Sequence, residues 1–280
     1  MSATIRPARP DDREAVVELL HAHMSAKIPR ERWRLLFDYP WRPADAPDCG
    51  RVLTDGGRIV GFLGATYVDR RIGGDTVRLC NMSSWYLLRP YRGQGQGRKM
   101  VLDLTSDPAV TYTDLTATPQ VQEMLLAHAG FSILDQERWI LRRPQEEVAD
   151  IALAELAPSG PPLSHHAGFR DLRLLHAGGP DGSSALAVQV KKKGEGIAYH
   201  QLLHAEDPPW LARNASAVAA ALLPPGPAVL AIDRRLTPIA PARAEIEAIA
   251  QPRLYKSRRL RPEQIDNLYN EVLLLDQKLP

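Results

Sequence analysis

The apolar positions of the first hundred residues change from helical spacing to strand spacing. Asp11 precedes Glu14 by three residues and apolar side chains follow at helical intervals, which predicts a capped helix over residues 11–24, and Trp33 marks a short second helix. Apolar runs at residues 51–54, 59–67 and 76–79 are separated by Asp55-Gly56-Gly57 and Gly73-Gly74. Glycine pairs of this kind predict hairpin turns, so three antiparallel strands are expected.

A glycine-rich joint follows the third strand. Residues 81–87 suit a strand, Met100, Val101 and Leu104 recur at helical spacing, and residues 92–97 between them read Arg-Gly-Gln-Gly-Gln-Gly. Glycines allow a tight turn that presents bare N–H groups at a helix N-terminus, which predicts a site for an anion such as a pyrophosphate.

A dinucleotide-binding turn is an alternative interpretation of these glycines. That turn requires a glycine fingerprint in the first βαβ unit, with an acidic residue about twenty positions further on. Here the glycines come only after roughly ninety residues and an antiparallel meander, an order that disfavours the dinucleotide interpretation.

The elements after the joint complete a recognisable order. A buried strand is predicted at residues 109–113, a helix at 119–129, then Gly130-Phe131 and strands at 131–134 and 139–141. This order resembles the GNAT superfamily of acyl-CoA N-acyltransferases over about residues 3–143. The family's pyrophosphate loop reads Arg/Gln-x-x-Gly-x-Gly/Ala, and Arg92, Gly95 and Gly97 occupy those positions. The resemblance implies a mixed α/β fold with a splayed central sheet flanked by helices.

The composition changes after Pro144, which suggests a second domain. We predict an acyl-CoA-binding domain at residues 1–145, a proline-rich linker at 146–163 and a smaller α/β domain at 164–280. Strands at 184–190 and 197–203, a helix at 214–223 and a strand at 228–232 echo the second half of a GNAT unit, which leaves a degenerate repeat as one interpretation of this domain. An apolar stripe further predicts a helix over 262–275.

Composition narrows the class of protein. The chain of 280 residues is 44% hydrophobic and 24% charged, which is typical of a folded soluble protein, and its net charge of +2 gives no overall attraction to nucleic acid or membranes. With two cysteines, no signal-peptide pattern and no apolar run near the roughly 18 residues of a membrane span, we expect a cytoplasmic protein.

Two weaker clusters are interpreted as solvated. His165-His166 with His176 lacks a cysteine or a paired carboxylate at ligand spacing, so no metal site is predicted. The basic run over residues 253–261 lacks an aromatic stacking platform and is interpreted as a solvated strand face rather than a nucleic-acid site.

The resemblance implies which residues hold the acyl donor. Backbone N–H groups of the loop grip the pyrophosphate, arginine adds charge, and backbone groups at the end of the preceding strand face the pantetheine and the thioester oxygen. The corresponding residues are Leu87, Leu88, Arg92, Gly93, Gln94, Gly95, Gln96, Gly97 and Arg98.

The usual proton-transfer groups of the family are missing. Many members carry a Tyr four residues before the Gly-Phe pair and others a Glu on the strand before the loop; these positions hold Leu126 and Asn81. Three interpretations stay open. Asn81 and Ser83 share a strand face and could hold a water chain; Tyr86, Tyr112 or His128 could exchange the proton; or the protein binds acyl-CoA without turning it over. We take Asn81, Ser83 and Tyr86 as the candidate catalytic residues.

The function implied is transfer of an acetyl or other short acyl group from acyl-CoA to an amine, by direct transfer and without a metal. The acceptor is a small molecule or a peptide, and the oligomeric state is open. The alternative is a non-catalytic acyl-CoA-binding or interaction module.

Overall fold

The computed structural model describes residues 3–146, 148–194 and 196–280, which form two compact units. Unit 1 extends to Ile133 and also contains Gln251–Leu260 and Tyr269–Pro280, whereas unit 2 contains Leu134–Ala250 and Arg261–Leu268. This division differs from the predicted segments 1–145, 146–163 and 164–280. Two C-terminal segments join the first unit, a long-range association that composition along the chain does not report.

The first part of unit 1 contains five strands and four helices, with short 3-10 helices at Pro10–Asp12 and Arg89–Tyr91. In chain order the elements are β1 (Thr4–Pro7), α1 (Arg13–His23), α2 (Arg30–Arg34), β2 (Gly50–Asp55), β3 (Arg58–Ile72), β4 (Asp75–Leu87), α3 (Gln96–Leu104), β5 (Thr111–Asp114) and α4 (Pro119–His128).

The sheet of unit 1 is mixed, and two of its strands diverge. Strands β1 to β4 pair as antiparallel neighbours, with glycines of positive φ in the turns, as the Gly56-Gly57 and Gly73-Gly74 pairs predicted. Strand β5 runs parallel to β4 but pairs with it only from Leu79–Thr111 to Asn81–Thr113. Strand β4 continues to Leu87 without β5, so the predicted splayed α/β sheet is confirmed.

Helices α3 and α4 cover one face of this sheet because their apolar stripes need burial. Met100, Val101 and Leu104 of α3 join Cys80 and Met82 of β4 in one core cluster. The side chains of Asn81 and Ser83 therefore face the opposite side of β4, since successive side chains of a strand alternate.

Unit 2 repeats part of this topology. Its elements are β6 (Ser132–Arg142, from Leu134 onward), β7 (Ala152–Glu155), a 3-10 helix (Leu163–His166), β8 (Leu172–Gly179), β9 (Gly182–Lys193), β10 (Ile197–Ala205), α5 (Pro208–Leu222), β11 (Ala228–Asp233) and a second 3-10 helix (Arg234–Leu236). Strands β9 and β10 are antiparallel, and β10 connects through α5 to a parallel β11, as β3, β4, α3 and β5 do in unit 1. Strand β7 lies within the segment predicted as a linker.

The last strands of the two units are exchanged relative to chain order. Strand β6, which follows α4, pairs antiparallel with β11 of unit 2. Strand β12 (Glu245–Lys256), which follows β11, pairs antiparallel with β5 of unit 1 through Leu254–Lys256. A 3-10 helix (Pro262–Gln264) and α6 (Glu271–Leu274) close the chain.

Three expectations for the C-terminal half are wrong. Residues 262–275 do not form one helix, because Tyr269 has φ +60° and Asn270 takes an extended N-cap conformation before α6. Arg253 of β12 is fully buried rather than part of a solvated face. His166 is also buried and contacts the Pro162 carbonyl oxygen at 2.9 Å through Nδ1, so it is not a solvated loop histidine.

No helix of the described segments has the length and apolar character needed to cross a membrane.

Candidate functional site

A cavity of about 480 Å³ opens in unit 1 where β4 and β5 have diverged. The end of β4, the glycine-rich loop and the first turns of α4 form its walls. Its lining residues are Trp85, Tyr86, Leu87, Tyr91, Arg92, Gly93, Gly95, Gly97, Arg98, Thr118, Gln120, Val121 and Met124.

A β-bulge in β4 shapes this cavity. Phe62 pairs with Tyr86 and Gly64 with Ser83, so Ser84 and Trp85 together lie opposite the single residue Leu63. Ser84 has φ +47°, a left-handed conformation that a non-glycine residue adopts at some cost in free energy. Trp85, Tyr86 and Leu87, at and directly after the bulge, all border the cavity.

The glycine-rich loop presents unused backbone donors. Gly93 and Gly95 both have φ +75°, and Gly95 is the N-cap residue of α3. Lys99 N–H makes the first bond of the helix, to the Gly95 carbonyl oxygen at 3.0 Å. Within the described chain, the N–H groups of residues 93–98 have no protein acceptor, so the helix N-terminus can bind an anion.

Gly97 is required by a close approach. An ideal Cβ on Gly97 would lie 2.6 Å from Cζ2 of Trp85, so the indole ring covers the first turn of α3. A Cβ on Gly93 or Gly95 would meet nothing within 4 Å. The loop therefore uses glycine for backbone conformation at two positions and for packing at the third.

Arg92 is oriented by two contacts. Its Nε donates to the Leu87 carbonyl oxygen at 2.7 Å, and its guanidinium carbon lies 4.8 Å from the Tyr86 ring centroid. The guanidinium thus connects the end of β4 to the loop. It also adds one of the two positive charges on the cavity wall.

The lining is cationic. Arg92 and Arg98 contribute two positive charges, and no acidic side chain belongs to the described lining. Tyr91 donates through its hydroxyl group to Asp55 at 2.7 Å, and this hydrogen bond to the carboxylate raises the pKa of the phenol. Together with the free N–H groups of the helix terminus, the lining suits a polyanionic group.

The three candidate catalytic residues are not brought together. Tyr86 lines the cavity, stacked on His23 with ring centroids 6.3 Å apart. Asn81 and Ser83 are buried and outside the lining. Asn81 Nδ2 donates to Thr113 Oγ1 at 3.2 Å and its Oδ1 accepts from Glu271 N–H at 3.1 Å, so its side chain already serves protein partners.

The other residues considered for proton transfer lie elsewhere. Tyr112 is buried in the core, which raises the pKa of its phenol, and His128 is exposed. Leu126 is 41% exposed and does not line the cavity, whereas Val121 and Met124 of α4 do. The α4 side chains that line the cavity are those of Gln120, Val121 and Met124, and none of the three can protonate a thiolate.

Most of the predicted donor-binding residues border the cavity. Leu87 and Arg92 do so together with Gly93, Gly95, Gly97 and Arg98. Leu88, Gln94 and Gln96 are not among the lining residues. Leu88 N–H donates to the Val60 carbonyl oxygen at 2.9 Å and Gln94 Nε2 donates to the Pro90 carbonyl oxygen at 2.7 Å, so both are engaged within the protein.

Two buried carboxyl groups were missed by the sequence reasoning. Asp114 ends β5 and accepts from Thr116 N–H at 3.2 Å, while Glu271 Oε1 accepts from Thr116 Oγ1 at 2.7 Å. Burial raises the pKa of Asp114 to about 6 and that of Glu271 to about 7, and the charge of Asp114 adds to the second shift. No spacing signal links them, because 157 positions separate the two in the sequence.

Part of the first unit matches the sequence model of a known protein family. Residues 13–107 match the sequence model of the Acetyltransferase (GNAT) family. This segment is a GNAT-family domain. The matched segment contains the bulged strand β4, the glycine-rich loop and α3. The end of β4 and the loop form walls of the cavity, and the N-terminus of α3 borders it. No curated protein sequence matches the chain significantly.

Solved structures resemble the GNAT domain and the rest of the chain in fold. A GCN5-related N-acetyltransferase from Anabaena variabilis ATCC 29413 superposes with a TM-score of 0.63 at 10% identity, covering 91% of this chain and 72% of that one. A conserved protein of unknown function from Enterococcus faecalis V583, described as a probable N-acyltransferase, gives 0.57 at 9% identity, with 94% and 74% covered. Eis1 from Mycobacterium abscessus gives 0.52 at 12% identity, with 91% and 73% covered.

Proposed function

We propose that unit 1 is an acyl-CoA-dependent N-acyltransferase that moves an acetyl or other short acyl group directly to an amine. The observation that carries the proposal is the set of unused N–H groups of residues 93–98, which borders a cavity with two arginines and no acidic lining residue. A pyrophosphate satisfies such donors, and the apolar side chains of Trp85, Leu87, Val121 and Met124 suit a pantetheine arm.

The reaction requires little covalent chemistry from the protein. The amine nitrogen attacks the thioester carbonyl carbon, the C–S bond breaks, and the CoA thiolate accepts a proton from nitrogen. Leu88 N–H donates to β3, so the N–H and carbonyl groups of Leu87 point away from β3, toward the side on which β5 no longer pairs with β4. On that side Arg92 donates to the Leu87 carbonyl oxygen. Leu87 N–H is the strand donor available to polarise a thioester oxygen there.

Calorimetry with acetyl-CoA and a matched pair of variants tests the assignment of the loop. Gly95→Trp fills the mouth of the helix N-terminus and is expected to weaken binding at least ~100-fold, about 2.7 kcal/mol. Gly57→Trp is the control, because Gly57 also has positive φ and open space around an ideal Cβ but lies in the β2–β3 turn. Equal affinity of Gly95→Trp and the wild type would refute the loop as the donor site.

A second candidate function is a binding module that holds acyl-CoA without turnover. Two observations favour this function. The titratable groups among the described lining residues are tyrosines and arginines. The positions of Leu126 and Asn81, outside the lining, lack the family's usual acid and base. Thiol release from acetyl-CoA across amines, amino acids, aminoglycosides and peptides separates the two functions. Sustained release identifies an enzyme, whereas saturable binding with silence across the panel identifies a module.

We infer a cytoplasmic location from the free thiols of Cys49 and Cys80, which are both buried. We also propose that the acceptor is a small molecule or a peptide amine rather than nucleic acid, because a net charge of +2 gives the chain no overall attraction to a polyanion.

A further inference from the structure

The carboxyl groups of Asp114 and Glu271 are both enclosed in unit 1, and the residues that the structure describes supply no neutralising cation. Asp114 is 8% exposed and Glu271 is 3% exposed. Neither forms an ion pair with an Arg, Lys or His of the described chain. One oxygen of Glu271, Oε2, has no hydrogen-bond partner there at all. Burying an unpaired carboxyl group is costly, so its presence requires an explanation.

Unit 2 shows that this topology does not require an unpaired acid. Strand β11 ends at Asp233, as β5 ends at Asp114. Two residues after Asp233, Arg235 Nη1 lies 3.1 Å from Asp233 Oδ2, and Asn267 Nδ2 donates to the same oxygen at 2.7 Å. Unit 1 has Thr116 at the position of Arg235, and Thr116 supplies a hydrogen bond to Glu271 but no charge.

Glu271 is held against the strand that leads into the cavity. Its backbone N–H donates to Asn81 Oδ1 at 3.1 Å, and α6 contacts β4. Ser83 follows two residues after Asn81 and so lies on the same face of β4. Its hydroxyl group is buried without a hydrogen-bond partner in the described chain. The unpartnered Ser83 hydroxyl thus lies on the face of β4 against which the Glu271 backbone is held, immediately before the bulge.

We propose that Glu271 is the proton acceptor for the amine substrate, with the Ser83 hydroxyl in the path of the proton. The inference deepens the acyl-transfer function proposed above and rests on it. An acceptor amine arrives as an ammonium ion and must lose a proton before its lone pair can attack. Asn81 cannot accept that proton, whereas the carboxylate of Glu271, whose backbone N–H binds Asn81, can.

The proton balance is complete with the groups named. The ammonium ion gives one proton through Ser83 to the Glu271 carboxylate, and the free amine then forms the C–N bond. The C–S bond breaks and the CoA thiolate takes the second nitrogen proton. Glu271 afterwards releases its proton to solvent, so each turnover yields amide, CoA thiol and one proton from ammonium and acyl-CoA.

Burial and the neighbouring groups raise the pKa of the Glu271 carboxyl group toward neutral pH. Asp114 and Thr116 face it from the end of β5, and Asn81 from β4. Two arginines contact the segment around Glu271 at other groups: the Arg70 guanidinium lies over the Tyr269 ring, and Arg32 donates to the Leu274 carbonyl oxygen. With its pKa raised to about 7, Glu271 is a stronger base than an exposed glutamate and is still largely ionised above neutral pH.

The test compares Glu271→Gln with Glu123→Gln, an exposed glutamate of α4. Thiol release from acetyl-CoA is followed from pH 5.5 to 9 with the best amine of the panel, and acetyl-CoA binding is measured by calorimetry. Glu271→Gln is expected to lower kcat/KM at least ~100-fold, to abolish the acid limb of the pH profile and to leave acetyl-CoA affinity unchanged. Glu123→Gln is expected to match the wild type.

Thr116→Val supplies a second readout that a purely structural role would not move. The Thr116 hydroxyl lowers the pKa of Glu271, so its removal should shift the acid limb to higher pH while turnover at pH 9 persists. Turnover of Glu271→Gln within twofold of the wild type, with the acid limb in place, would overturn the role of Glu271 but leave the acyltransferase intact. Silence of the wild-type protein across the panel would overturn the acyl-transfer function and the role of Glu271 with it.

Discussion

The indole ring of Trp85 occupies the space that a side chain on Gly97 would need, with Cζ2 only 2.6 Å from the ideal Cβ position. This contact joins the bulged end of β4 to the first turn of α3. The position of the strand wall of the cavity therefore depends on the position of the helix N-terminus, and the reverse also holds.

Gly97→Ala should therefore damage both stability and donor binding. A methyl group forced against the indole is expected to cost about 1–3 kcal/mol of unfolding free energy, as overpacking typically does. Urea unfolding and acetyl-CoA calorimetry measure the two effects. The double variant Trp85→Leu/Gly97→Ala is the control, because the smaller side chain makes room; failure to recover stability would contradict the steric explanation.

Arg92→Lys should weaken acetyl-CoA binding although it keeps the charge. The Nε bond to the Leu87 carbonyl oxygen and the position over the Tyr86 ring both depend on the planar guanidinium. We expect roughly tenfold weaker binding, about 1.4 kcal/mol, by calorimetry. Arg89→Lys, at an exposed residue of the neighbouring 3-10 helix, should bind as the wild type does. Unchanged affinity of Arg92→Lys would show that charge alone matters at this position.

Glu271→Gln should stabilise the protein at alkaline pH. The folded state raises the pKa of Glu271 from 4.5 to about 7, so it holds a proton that the unfolded chain releases between these pH values. Stability from this group is present below pH 4.5 and is lost as pH rises toward 7, an effect on the order of 3 kcal/mol. Unfolding of wild type and variant at pH 5 and pH 8 measures it, and a gain that is equal at both pH values would refute the assignment.

One acetyl-CoA should bind per chain, despite the repeated topology. The helix of unit 2 that corresponds to α3 begins with Pro208 and Pro209, which have no N–H, and its N-cap Asp207 accepts from Trp210 N–H at 2.8 Å. Glu206 adds a further negative charge nearby. A calorimetric stoichiometry of two would contradict this difference between the units.

The glycine-rich loop, which we propose as the donor site, could be predicted from the sequence because its requirements are local. Positive φ at Gly93 and Gly95 and the close approach at Gly97 each demand glycine, and the three fall within five positions. The hairpin glycines and the strand–loop–helix order are local in the same sense. The hairpin glycines and the order of strand, loop and helix therefore predicted the mixed α/β fold, which the structure confirms.

The carboxyl pair could not be found in that way. Glu271 reaches Thr116 across 155 positions, and its raised pKa depends on burial that only the folded unit creates. The predicted helix over residues 262–275 was wrong for a related reason. Asp266 binds His204 and Asn267 binds Arg235, both in unit 2, whereas the chain from Tyr269 onward belongs to unit 1. The apolar residues of the predicted stripe are therefore divided between the two units.

The exchange of β6 and β12 has a consequence for synthesis of the protein. When the first 145 residues have left the ribosome, β5 still lacks the partner that residues 254–256 later provide, and α6 with Glu271 does not yet exist. The nascent first half therefore carries an open sheet edge, a known route to aggregation. Unit 1 can mature only after unit 2 has been translated, which makes the N-terminal domain the last to be finished.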